Sequence, residues 1–128
     1  MKKFDLRKVE SVRAKQELDE LVIDGVGQFE LFENMLRSEY GRYISELRTM
    51  ISYMEYVANG NSLAQDKFKD VTPEGELVKE YEFKSKHLRV YAIKKANDKI
   101  IILGGLKTTQ KFDFQLFRSL KQPYLDTR

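Results

Sequence analysis

The sequence predicts an α+β fold in which a helical hairpin packs on a small antiparallel sheet and a short helix closes the chain. Three observations carry this. Leu77 to Gln110 falls into three successive segments of strand character. Gln28 to Ala58 repeats apolar residues every three or four positions, and Gln110 to Gln122 carries one further apolar stripe. With 128 residues, 41% of them hydrophobic and 34% charged, the chain has the length and composition of a single soluble domain over 1–128.

Residues 1–20 form an N-terminal extension. Phe4, Leu6, Val9, Val12, Leu18 and Leu21 suit a short helix, and Lys2 to Leu6 suits an edge strand equally well. Leu21-Val22-Ile23 favours a strand and is closed by the turn pair Asp24-Gly25. Phe29, Phe32, Met35 and Leu36 then mark a helix over Gln28 to Ser38, which Gly41 interrupts. Ile44, Leu47, Ile51, Met54 and Val57 mark a second helix, stopped by Asn59-Gly60. Asn61 to Pro73 reads as a connector, and Thr72 to Gly75 as a turn into the sheet. At the other end, Phe112, Leu116, Phe117 and Leu120 share one helical stripe, and Pro123 is expected to end that helix before a mobile tail.

In the meander, Tyr81 and Phe83 alternate with Glu80, Glu82 and Lys84. A two-residue turn at Ser85-Lys86 would set Phe83 opposite Leu88 and Glu82 opposite Arg89. The third strand, Lys99 to Lys107, is apolar on both faces through Ile100-Ile101-Ile102-Leu103, which makes it the central one. A three-residue connection through Ala96, Asn97 and Asp98 places Arg89 opposite Gly105 and Lys107 opposite His87. A two-residue turn at Asn97-Asp98 would instead send the Lys107 ammonium to the core side, where burial is costly. The preferred register gathers Lys84, His87, Arg89 and Lys107 in one basic concavity beside Glu80 and Glu82. The hairpin then covers Tyr81, Phe83, Leu88 and Val90 on the other face.

Composition excludes several classes of function. There is no cysteine and one histidine, which removes disulfides and thiol nucleophiles and argues against a zinc site, so neither metal nor cofactor is expected. The longest apolar run, Ile100 to Leu106, is far short of the ~20 residues that cross a bilayer. Asp5, Arg7 and Lys8 break up any export signal after Met1-Lys2-Lys3, so a cytoplasmic protein is expected. Net charge is +3, unevenly spread. Met1 to Gly75 holds 11 basic and 14 acidic residues, whereas Glu76 to Arg128 holds 12 basic and 6 acidic, a surplus of +6 that attracts polyanions. Gly104-Gly105 lacks the spacing of a phosphate loop and marks a bulge or close packing.

The order of elements, with Val78-Lys79-Glu80-Tyr81, then Leu88-Arg89-Val90-Tyr91, then Leu103 to Lys107, resembles the RelE/HigB toxin superfamily, in its phage-derived HigB-like branch. The resemblance spans roughly Phe29 to Leu120 in pattern and about a dozen residues of the meander in detail. It implies a RelE-like fold and the toxin of a bacterial toxin–antitoxin pair, which cleaves mRNA on the ribosome without a metal. In that chemistry the ribose 2′-OH attacks the adjacent phosphate. The resemblance assigns Arg89 to the phosphorane and Lys107 to assist it or bind the backbone. His87, Lys84 or Tyr124 transfers protons, and Glu80 orients Arg89, with Glu82 and Tyr91 beside it as binding residues. The implied partners are the mRNA and a cognate antitoxin, expected to be a small helix-turn-helix protein. Glu82 stands where the family often has arginine, and Gly104 where it commonly has histidine. Both departures favour a second reading, a catalytically degenerate RNA- or protein-binding module on the same fold.

Overall fold

The computed structural model describes residues 2–96 and 98–127. Along the chain these form β1 (Phe4–Lys8), β2 (Leu18–Ile23), β3 (Val26–Gly27), α1 (Gln28–Glu39), α2 (Ile44–Ala58), β4 (Phe68–Asp70), β5 (Glu80–Lys84), β6 (Leu88–Lys95), β7 (Asp98–Leu106) and α3 (Gln110–Asp126). The fold is α+β. All strands join one sheet in the order β1-β2-β7-β6-β5-β4, with β3 paired to β2. Neighbours are antiparallel except β2 and β7, which run parallel.

Alternation decides which helix each strand residue meets. Phe83, Leu88, Val90, Ala92 and Ile101 face the hairpin, where Phe29, Phe32 and Leu36 of α1 and Leu47, Met50 and Met54 of α2 bury them. Tyr91, Ile93, Ile100 and Ile102 face the other way, onto Phe117, Leu120 and Tyr124 of α3. The two glycines of β7 admit one helix on each side. A methyl group at Gly104 would lie 2.4 Å from the Phe32 ring, and one at Gly105 would lie 2.1 Å from an Asp113 carboxylate oxygen. Helix α1 has no side-chain cap of its own. Glu20 supplies one from β2, accepting the Phe29 and Glu30 N–H groups at 3.0 and 3.1 Å.

Several expectations need correction. Of the two alternatives for residues 1–20 the edge strand forms, as β1, and β2 starts three residues ahead of the Leu21-Val22-Ile23 run; the connector before the sheet, read without structure, contains a further strand, β4. The β5–β6 connection is longer than the two-residue turn expected. Lys84 pairs with Arg89 and Phe83 with Val90, two residues from the expected register, a shift that keeps every side chain on its expected face. Between β6 and β7 the preferred register holds only from Leu88 to Tyr91, and Asp98, expected in the connection, lies in β7 paired with Lys95. Arg89 pairs with Gly105 as expected, but beyond Tyr91 the pairing slips by one, so that Ile102 forms a bulge and the turn follows Lys95. Asn97 of that turn lies outside the described residues. The C-terminal helix is not short: its 17 residues run through Pro123 to Asp126, and Tyr124, expected at the start of a mobile tail, is buried. The apolar packing of Tyr124 and Leu125 beyond Pro123 holds the last turn in place against the loss of the proline's N–H bond.

Candidate functional site

Two groups of polar side chains stand out, one beneath α3 and one around the β5–β6 turn. Beneath α3, Glu80 is 1% exposed and accepts hydrogen bonds from Lys121 Nζ at 2.7 Å and Arg118 Nε at 3.1 Å. Lys121 also donates to the Val78 carbonyl at 3.3 Å and lies 3.7 Å from Glu76. Glu82 accepts from Gln110 Nε2 at 2.7 Å, and Asp113 from the Thr109 hydroxyl at 2.5 Å. Burial raises the Asp113 carboxyl above its ordinary range. The Tyr91 hydroxyl lies beside Glu82 but outside ordinary hydrogen-bond geometry with it; burial, and then the charges of Glu82 and Asp113, push the phenol far up. The expected open concavity is therefore absent from this face, because α3 seals it with complementary polar groups of its own.

The β5–β6 turn is built differently. Ser85 N–H donates to the Leu88 carbonyl at 3.1 Å and closes it. Glu46, in the first turn of α2, reaches into it. Its Oε2 accepts from the Ser85 hydroxyl, from the His87 N–H at 2.6 Å and from the Leu88 N–H at 3.1 Å, while its Oε1 stands 2.8 Å from His87 Nδ1. Burial alone would raise the Glu46 carboxyl, but the hydrogen bonds from Ser85 and His87 outweigh it and hold the group below its ordinary range. An ionised carboxylate only accepts, so the network assigns the proton to Nδ1 and leaves Nε2 of the neutral ring as an acceptor. The ring is stacked on Tyr43 at 4.7 Å and 21°. Tyr43 in turn lies parallel to Tyr40 at 6.0 Å, and the Arg42 guanidinium stands 4.6 and 5.3 Å from the two tyrosine rings. These three residues belong to the short 3-10 turn Gly41–Tyr43 between α1 and α2 and to its cap.

Arg89 supports the turn from inside. It is 7% exposed, and one of its terminal nitrogens donates to the Ser85 and Leu88 carbonyls at 2.6 and 2.8 Å. Among the described residues its Nε has no partner and no carboxylate forms an ion pair with it. Lys107 follows directly on β7, and its N–H donates to the His87 carbonyl at 2.8 Å. Lys84, Lys86 and Lys107 are likewise without an ion pair among the described residues.

Of the residues expected at the site, the fold thus gathers His87, Arg89, Lys84 and Lys107 around one turn, with Arg89 behind it. Glu80, Glu82 and Tyr91 lie apart from them beneath α3. Tyr124 is remote as well: it packs on Phe4 at 6.3 Å between ring centres, eleven residues or about 16 Å of helix beyond Asp113. Sequence reasoning missed Glu46, Tyr40, Tyr43 and Arg42. The available signal was local, since Tyr43 and Glu46 stand three residues apart at a helix start and share a face. What a strand or helix pattern does not disclose is that this face meets a turn forty residues later.

No protein-family model matches this chain, and no curated protein or solved structure matches it either. Among the described residues no helix is long and apolar enough to cross a membrane, and no group of three or more His, Cys, Asp or Glu is placed to hold a metal ion.

Proposed function

We propose that this chain acts on RNA as a metal-independent endoribonuclease on a RelE-like fold, with His87 as the proton-transfer group. The observation that carries the reading is the Glu46–His87 pair. A carboxylate fixes the tautomer and tilt of an imidazole whose side chain is 40% exposed, amid cations that form no ion pair among the described residues. In the proposed step Nε2 of His87 takes the proton of a ribose 2′-OH as that oxygen bonds to the adjacent phosphorus. The P–O5′ bond breaks, leaving a 2′,3′-cyclic phosphate, and the departing 5′-oxygen takes a proton from the ammonium of Lys84 or Lys107. Those ammonium groups, with the unneutralised charge of Arg89 behind the turn, would also offset the charge that builds on the phosphorane. The family resemblance adds the setting, a cytoplasmic toxin that cuts mRNA on translating ribosomes and is neutralised by a small helix-turn-helix antitoxin. The helical hairpin ahead of the β5–β7 meander is the element order that this resemblance implies.

A second reading, a non-catalytic RNA-binding module, draws on a specific observation: Arg89, which the resemblance puts on the phosphate, is buried and committed to two carbonyls. Primer extension on mRNA from a translating extract separates the two. The endonuclease reading expects defined 5′ ends with the wild type, and a loss on the order of 10² or more in rate with His87→Ala. Intact mRNA with folded wild-type protein would end it in favour of the binding module.

A further inference from the structure

Past Lys107 the surface changes character. Phe112, in the first turn of α3, is 66% exposed and lies outside both cores. It borders a hollow of about 430 Å³ whose other walls are Thr108, Thr109, Lys111 and Gln115. An aromatic wall, an ammonium, the Thr108 hydroxyl and a carboxamide suit a flat heteroaromatic ring attached to a phosphate better than they suit an apolar side chain, the Thr109 hydroxyl being taken up by Asp113. The charge pattern agrees. Asp113, the sole acid in the first three turns of α3, points into the sheet, while Lys107 and Lys111 have no ion pair among the described residues. The site is also close to His87. Lys107 is hydrogen-bonded to the His87 carbonyl, and the rise from Lys107 to Phe112 through the 3-10 turn Lys107–Thr109 and the start of α3 is about 9 Å. Two or three stacked nucleotides cover that distance at about 3.4 Å each.

We infer that a single-stranded RNA crosses this end of the sheet from the His87–Tyr43 stack to Phe112, with one base stacked on the Phe112 ring and the phosphates between on Lys107 and Lys111. The inference rests on the RNA reading of the His87 end and adds where the strand leaves it.

The test uses a fluorescein-labelled single-stranded oligoribonucleotide of defined sequence, 2′-O-methylated throughout so that no cleavage can occur, titrated at low salt and followed by anisotropy. Phe112→Ala should weaken binding about tenfold and leave the thermal melt unchanged, since the ring lies outside the core. One abasic position in the oligonucleotide should weaken wild-type binding by a similar factor and cost nothing further in Phe112→Ala. Equal affinity of wild type and Phe112→Ala, with His87→Ala impaired, would overturn this inference alone and leave Phe112 as a contact for a protein partner. Equal affinity for a duplex of the same sequence would overturn it too. A wild type that binds no RNA at all would remove the RNA reading of the His87 end along with it.

Discussion

Arg89 separates a supporting role from a catalytic one. Arg89→Met keeps the length and apolar bulk of the side chain and removes both hydrogen bonds to the turn, at 2.6 Å to the Ser85 carbonyl and 2.8 Å to the Leu88 carbonyl. Hydrogen bonds from a charged donor contribute about 1.5–3 kcal/mol each when both partners are buried. Here the loss is smaller. The Leu88 carbonyl keeps the Ser85 N–H at 3.1 Å, Ser85 is only half-buried so that water can reach its carbonyl, and the guanidinium's desolvation is relieved. About 2 kcal/mol remains, which for a chain of this length lowers the melting temperature by roughly 8 °C. Urea unfolding should show a lower midpoint with an unchanged slope. Cleavage should fall with it, because the turn that carries His87 loosens, and Arg89→Lys should recover little of the stability, since a lysine nitrogen ends about where the guanidinium carbon stands, one bond short of the nitrogen that makes both contacts. A folded Arg89→Met with wild-type stability and cleavage reduced about a hundredfold would refute this reasoning and put Arg89 on the phosphate.

Two further predictions bear on the scaffold. Gly104→Ala should destabilise by about 1–2 kcal/mol, the overpacking against Phe32 less the entropy removed from the unfolded chain, and by more than Gly105→Ala, whose obstacle is the rotatable Asp113 carboxylate; urea midpoints in the reverse order would mean that α1 packs elsewhere. Glu46→Gln should cost about 1–2 kcal/mol at neutral pH. Because the Glu46 carboxyl is held below its ordinary value of about 4.5 in the fold, its contribution is fully present above that pH and is lost as pH falls through the lower folded value. The gap between wild type and Glu46→Gln in urea should therefore narrow below about pH 4.5, and a gap constant down to pH 3 would refute the assignment.

How legible the molecule was depended on the range of the interaction that decides each feature. Both hairpin helices are set by their own apolar spacing and a local stop, so Gln28–Glu39 and Ile44–Ala58 lie close to the segments that the pattern marks. The faces of β5 and β6 follow from alternation and survive an error of two residues in register. The slip at Ile102 has no sequence signature, since Ile100-Ile101-Ile102 is equally apolar at every position and gives no reason to prefer one pairing. Three-residue β4 is held by pairing with β5 and has no pattern of its own. The largest misjudgement concerned Glu80, Glu82 and Tyr91. A polar strand face looks the same whether it meets water or a helix that brings matching donors, and the donors here, Gln110, Arg118 and Lys121, lie about thirty to forty residues downstream.

Those donors also bear on why the site stands where it does. Exchanging a buried ion pair for apolar residues is often neutral or stabilising, so bulk stability does not explain Glu80 and Lys121. Geometry offers another account. Arg118 and Lys121 stand three residues apart on α3 and grip the two oxygens of one carboxylate, while Gln110, two turns earlier, grips Glu82 on the same strand. Sliding α3 by one turn, about 5.4 Å, would strip Glu80 and Glu82 of all three donors at once and leave two buried charges unpaired, whereas the Phe117, Leu120 and Tyr124 stripe would tolerate such a slide far better. The polar layer therefore fixes the register of α3 on the sheet. That register in turn sets the distance from Phe112 to Lys107 and His87, so a strand reaching from the His87 stack to the Phe112 hollow would meet a gap of constant length.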